Sequence, residues 1–258
     1  MTTHNTSLRY YYELFWVLVQ KEFKIRYKAS ILGYFWSVFS PLAQGCIFFV
    51  AFGIFMRFPQ ENYLLFLLSA LYPWQWISNA LSHAPKIFLI SPALVKKIAF
   101  PRFLMPAACA FQDMIHFLCS LPVFFLFSFL YGIFPTPICL LYIVIMLVVS
   151  YVMVASLGVI FSCINIYVRD MENIIPMLLQ MLFFLTPVIY PLEVIPENFR
   201  LLLHANPFFA LVSSWRSILL HHAMPWGMAL EAAGIAGVTA WGARRLYARL
   251  SWKLAELL

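Results

Sequence analysis

Six stretches of this chain are too apolar to be left in water, and no motif restricts the fold as much. They are Leu32–Met56, Tyr63–His83, Phe103–Tyr131, Ile138–Asn165, Asn173–Pro191 and Pro225–Leu246. Crossing a bilayer takes about 20 predominantly apolar helical residues. In hydrocarbon a helix satisfies every backbone N–H and C=O within itself. The stretches predict an all-α integral membrane protein with six transmembrane helices, built as one domain over residues 1–258. Composition points the same way: 64% of the residues are hydrophobic and 10% charged, with a mean hydropathy of +0.86, against about 25% charged in soluble domains. No cleavable leader is expected, since the first apolar run follows a charged, aromatic segment and precedes no small-residue cleavage pattern.

The net charge of +7 would suit nucleic acid if it lay on one soluble face. Instead the cations sit between the apolar stretches. Arg9, Lys21, Lys24, Arg26, Lys28, Lys86, Lys96, Lys97, Arg102, Arg169, Arg244, Arg245, Arg249 and Lys253 fall on one side of the alternating topology. Only Arg57, Arg200 and Arg216 fall on the other. Lys and Arg concentrate in cytoplasmic loops, so both termini are expected in the cytoplasm, as an even number of crossings also requires.

Chemistry-bearing patterns are scarce. There is no G-x-x-x-x-G-K-[ST] nucleotide loop, H-E-x-x-H, zinc spacing or G-x-S-x-G. The chain is therefore expected to be no enzyme and to hold no cofactor. Cys46, Cys109, Cys119, Cys139 and Cys163 all fall within predicted spans without close pairing and read as small packing residues. His221 and His222 adjoin, which suits a membrane surface better than a metal pair. Arg169, Asp170 and Glu172 read as a charged turn that caps helices. Asp113 and His116, three apart inside the third span, lie on one helical face. Intramembrane ionisable groups mark function by default, but other helices offer few partners for a proton relay, so an interhelical anchor is the preferred reading.

Three segments look helical without crossing. In Tyr10–Lys28, Tyr11, Leu14, Phe15, Leu18 and Ile25 recur at helical spacing ahead of a basic second half. This predicts an amphipathic helix on the cytoplasmic membrane surface, either a lipid anchor or a surface that also meets a cytoplasmic partner. Ser91–Pro101 carries a capping Ser91, Pro92 in the first turn and Lys96 and Lys97 near the end, which predicts a short rigid cytoplasmic helix. Leu192–Met224 predicts two half-helices on the outer side, one from Pro196 to about His204, the other from Pro207 to about Leu220 with Asn206 as its cap. Neither spans about 30 Å at 1.5 Å per residue, and both are too apolar for a solvated loop, so re-entrant half-helices are expected.

Pro41, Pro73, Pro106, Pro122, Pro176 and Pro187 interrupt the spans and read either as kinks or as helices shaped around a cavity. Ala229, Ala233 and Gly237 offer a small-residue face for close packing, within the chain or across a dimer. Tyr72, Trp74 and Trp76 should lie near mid-membrane, too deep for an interfacial belt, where aromatic faces could let sugar rings slide.

Read in order, Lys24-Ile-Arg-Tyr-Lys, Ile31-Leu-Gly-Tyr-Phe-Trp, Pro41-Leu, Leu94-Val-Lys-Lys-Ile, Phe100-Pro-Arg, Tyr167-Val-Arg-Asp-Met, Gln180, Phe184-Leu-Thr-Pro-Val-Ile-Tyr-Pro and Asn206-Pro form a series covering nearly the whole chain. That series resembles the type-2 ABC exporter permeases that move polysaccharides across the bacterial inner membrane. It is nearest to the O-antigen permeases, with teichoic-acid and capsule permeases as relatives.

The resemblance implies a homodimeric conduit for a lipid-linked polysaccharide, working with two copies of a separate ATPase that binds the ATP and Mg. It implies that residues 10–28 are an interface helix. The coupling helix would be 91–100, with Ser91, Pro92, Leu94, Lys96, Lys97 and Phe100 at the ATPase. Residues 192–222 would be a periplasmic gate containing Pro196, Phe199, Asn206, Pro207 and Phe208. Tyr34, Trp36, Phe39, Phe183, Phe184 and Tyr190 would line the conduit. The rival readings are a drug or small-lipid exporter of the same type, a membrane-embedded glycosyl- or acyltransferase, and an ion-coupled secondary transporter. The last would show midplane charges and internal repeats.

Overall fold

The computed structural model describes residues 8–27, 33, 35–57, 60–91 and 100–250. Among them every element is helical. The helices are α1 (Leu8–Arg26), α2 (Phe35–Phe48), α3 (Tyr63–His83), α4 (Ile87–Ile90), α5 (Leu104–Leu130), α6 (Pro137–Asn165), α7 (Met171–Leu185), α8 (Glu197–Leu203), α9 (Phe209–His221) and α10 (Trp226–Leu250). A π-helical stretch, Phe49–Phe55, prolongs α2.

Three helices among the described residues are long and apolar enough by themselves to cross a membrane: Phe35–Phe55, Leu104–Leu130 and Pro137–Asn165. The other expected spans depart from that simple form for identifiable reasons. Helix α3 is equally continuous, but its C-terminal half carries Gln75, Ser78, Asn79, Ser82 and His83. Helix α10 ends in Arg244, Arg245 and Arg249. Helix α7 stops at Leu185 rather than reaching Pro191, because Thr186 is extended (φ −93°, ψ 136°). Pro187 enforces this, since the residue before a proline is driven out of the helical region.

Helix α3 is the axis of the bundle. Most of its length is buried, including Leu65, Leu67, Leu68, Leu71 and Ile77, and it packs against α2, α5, α6, α7 and α9. Trp215 of α9 is fully buried, and its indole N–H donates to Ser150 Oγ on α6 at 2.9 Å. Helix α10 lies along α6 through Ala229, Ala232, Ala236 and Ala243. Of the expected small-residue face, Ala229 is buried within the chain, Ala233 is half-buried and Gly237 is exposed.

Helix α1 also departs from a simple surface helix. Leu18 and Val19 are buried in a second cluster with Ile87, Phe88, Met105 and Cys109, which seats α1 on α4 and α5. Ile25, expected on the apolar face, is 51% exposed, and Arg26 turns inward instead. The five cysteines are free thiols, and no cluster of His, Cys, Asp or Glu among the described residues could hold a metal.

Candidate functional site

A cleft of about 770 Å³ opens between α2, α3, α5 and α7. Its composition separates it from an ordinary lipid-facing groove. Trp36, Phe48, Phe183 and Phe184 supply aromatic surface, while Ser37, Ser40, Gln44, Gln75, Ser78, Asn79, Ser82, Ser120 and Gln180 supply uncharged donors and acceptors. Helical geometry builds each wall. On α2, Trp36, Ser40, Gln44 and Phe48 recur every four residues, and on α3, Gln75, Ser78, Asn79 and Ser82 recur every three or four. A Gln75 amide N–H donates to Gln44 Oε1 across the cleft at 2.5 Å. Pro41 and Pro176 also face the cleft. Pro41 removes the N–H that would engage the Ser37 carbonyl, and Ser120 Oγ of α5 approaches that carbonyl at 3.5 Å.

The aromatic residues fall into two groups. Trp36 and Phe184 are 47% and 55% exposed, with faces free to meet a ligand. Tyr72, Trp74 and Trp76 also border the cleft but are almost wholly buried. The Trp76 indole donates to the Ala110 carbonyl at 3.1 Å and stacks on Phe117, and Trp74 packs its edge near Phe183 and Phe208. These three brace the wall rather than offering the sliding surface expected of them. Phe39 lies outside the lining and stacks on Phe35. Tyr190 donates its hydroxyl to the Phe184 carbonyl at 2.7 Å. Tyr34 lies outside the described residues.

Next to α1 the cleft meets the one carboxylate on its lining among the described residues. Asp113, 1% exposed, accepts from the Arg26 guanidinium of α1, whose other arm reaches His83 Nδ1 at 3.1 Å. Burial works against the Arg26 charge, but Asp113 outweighs it and holds the guanidinium above its ordinary range. The Tyr27 hydroxyl lies 3.2 Å from His116 Nδ1. Asp113 and His116 thus sit together where α1, α3 and α5 converge.

Pro92, Leu94, Lys96 and Lys97 of the expected coupling helix lie outside the described residues. Its flanks are described, and side chains hold them on three sides. Lys21 Nζ donates to Ser91 Oγ at 2.8 Å. Ser162 Oγ and Asn165 Nδ2, at the C-terminal end of α6, donate to the Ala84 and Pro85 carbonyls at 2.7 and 2.9 Å. The Arg102 N–H, two residues beyond Phe100, donates to the Tyr247 hydroxyl at 2.9 Å. None of these clamps was sought in the sequence; the polar Ser162 and Asn165 ending a run as apolar as α6 were the available signal.

Pro196 precedes α8, where Phe199, Leu201 and Leu202 are exposed. Asn206 Oδ1 accepts the Phe208 N–H at 3.0 Å and its amide donates to Thr186 Oγ1 at 2.8 Å, so α9 begins at Phe209, two residues later than Pro207. The Thr186–Tyr190 corner is buried against this junction. Arg216 donates to the Val188 carbonyl at 2.7 Å while lying 3.8 Å over the Phe66 ring, and the Tyr63 hydroxyl donates to the Ile189 carbonyl at 2.8 Å.

Comparison with known proteins matches residues 13–220 to the ABC-2 type transporter family. An O-antigen export system permease protein RfbA of Klebsiella pneumoniae is 30% identical over 98% of this chain and 97% of its own length. One from Myxococcus xanthus is 30% identical over 93% of each. The polysialic acid transport protein KpsM of Escherichia coli is 22% identical over 83% of this chain and 84% of its own. A match across most of the helical bundle, with relatives aligned nearly end to end, leaves a direct conclusion: the chain belongs to the ABC-2 type transporter family, as a permease component.

Proposed function

We infer that this chain is the membrane subunit of an ATP-driven exporter that moves a lipid-linked polysaccharide, an O-antigen chain foremost, across the bacterial inner membrane. The observation that carries the reading is the lining of the cleft. A glycan presents hydroxyls that exchange hydrogen bonds and ring faces that rest on aromatic surface. Neutral serines, amides and exposed Trp36 and Phe184 meet both needs, and they do so without dense charge that would hold a moving polymer in place. The relatives named for O-antigen export support the choice of substrate.

In this reading α2, α3, α5, α6, α7 and α10 are the six crossings, with both termini in the cytoplasm. Two copies pair so that their clefts form one conduit, and α8 and α9 enter the outer leaflet as gate half-helices. ATP and Mg reside on two copies of a partner ATPase, which docks on residues 91–100. Nucleotide-driven closure shifts the permease only by the difference in docking free energy between its two states. The clamps at Ser91, Ala84, Pro85 and Arg102 deliver that difference to α1, α6 and α10.

Deleting the gene in its own host, with surface and cell-internal polysaccharide quantified separately, tests the function. The expected result is loss at the surface with lipid-linked polymer accumulating inside. Unchanged surface glycan, in a host with no second permease, rejects the glycan assignment in favour of a drug or small-lipid exporter.

A further inference from the structure

A second, smaller cavity of about 220 Å³ lies beside the cleft, between α1, the inner end of α3, α4 and α5. It is lined by Lys21, Glu22, Ile25, Arg26, His83, Ile87, Ile90, Ser91, Cys109 and Gln112. Its polar side has more donors than acceptors. An ammonium offers three N–H groups, and at Lys21 the partners are Glu22 Oε1 and Ser91 Oγ, which leaves one N–H without an acceptor among the described residues. Gln112 is 1% exposed, and its amide nitrogen is buried with no hydrogen-bond partner. A buried donor without an acceptor costs stability, so its retention in a cavity calls for a ligand rich in acceptors. Glu22 is the one carboxylate on the lining among the described residues, and Lys21 already engages it. The opposite character marks the rim: Ile25 is 51% and Ile90 65% exposed. Cations and donors below an apolar rim, beside a basic amphipathic helix, describe a seat for a phosphate carried on a hydrocarbon tail.

We propose that this cavity binds the phosphate headgroup of a membrane lipid, with Lys21 and Gln112 as its donors and Ile25 and Ile90 against the first part of the tail. Arg26 belongs to the linings of both the cavity and the cleft. A phosphate seated here therefore stands beside the entrance of the polar path. Resting on the export reading, the favoured occupant is the phosphate of a polyprenyl carrier, whose glycan would extend into the cleft.

The test uses the complete transporter reconstituted in nanodiscs of phosphatidylethanolamine, supplemented with either polyprenyl phosphate or phosphatidylglycerol. Lipid retained by the protein is read by native mass spectrometry. Gln112→Leu replaces a buried amide whose nitrogen has no partner with an apolar group of similar size and should fold, and Lys21→Gln removes the charge while keeping a hydrogen-bonding head. Wild-type protein is expected to retain polyprenyl phosphate, and each variant to retain at least about fivefold less, a loss typical of removing one charge-assisted bond. Retention of phosphatidylglycerol with the same sensitivity supports the lipid-phosphate site but makes its occupant a resident lipid. Equal retention by wild type and both variants, or competition by inorganic phosphate with no lipid bound, overturns the site. None of these readouts measures export, so the site can fail while the transport reading stands.

Discussion

At the scale of single residues, exposure separates two kinds of aromatic side chain on one wall. Trp36 and Phe184 stand open to the cleft, so Trp36→Ala and Phe184→Ala remove ligand surface without opening a hole in the core. Both variants should reach the membrane at wild-type levels and export polymer several-fold more slowly. Wild-type export rates in both would remove the aromatic path from the account. Trp74, at 4% exposure, lies among Phe183 and Phe208. Trp74→Ala should cost about 3–5 kcal/mol of stability through the cavity it leaves and show as a lowered melting temperature. The Arg26–Asp113 pair follows a different logic. Arg26→Ala leaves a carboxylate buried without its cation, at a cost of about 3 kcal/mol. The double replacement Arg26→Met with Asp113→Leu should recover most of it, measured by thermal unfolding in one detergent. A single variant as stable as wild type would show that the pair contributes little.

At the scale of elements, the packing of α2 on α3 sets the shape of the cleft. Gly45 leaves room for α3 on this face of α2: a Cβ there would meet Leu68 Cδ2 at 2.6 Å. Gly45→Ala should destabilise the protein by about 1–3 kcal/mol, as overpacking does, and Leu68→Ala should relieve it in the double variant. Unchanged melting in the single variant would show that the helices separate freely. Much of this level was legible from the chain, because apolar runs and proline breaks report element existence directly. The Tyr63–His83 stretch is expected and found with the same limits, and the break at Pro187 was visible even though the helix end was placed six residues late. Facing was harder to read. Hydropathy sums over all sides of a helix, so the polar stripe of α3 and the inward turn of Arg26 on α1 emerged only once the neighbouring helices were in place. Which alanines of α10 face inward likewise depends on how α10 lies on α6.

At the scale of the whole molecule, the proposed function makes the permease a set of levers between a cytoplasmic motor and a path through the membrane. The lever is described at its roots, on either side of residues 92–99. Lys96→Glu with Lys97→Glu should weaken binding of the partner ATPase, read as a lower yield of co-purified complex and reduced export. Undiminished yield and export would place docking elsewhere. Family membership was readable from short motifs in their order, whereas the neutral lining of the cleft was not. Isolated serines and amides inside apolar runs look like tolerated exceptions until α2, α3 and α7 bring them to one wall. The proposed function stands or falls on whether this wall carries the polymer. Photo-crosslinking residues placed at Gln180 and Ser78, on the cleft, and at Leu230, 69% exposed on α10, would test it in cells that are actively exporting. The account predicts glycan attached at Gln180 and Ser78 and none at Leu230. No glycan at either cleft position, or equal labelling at all three, would contradict it.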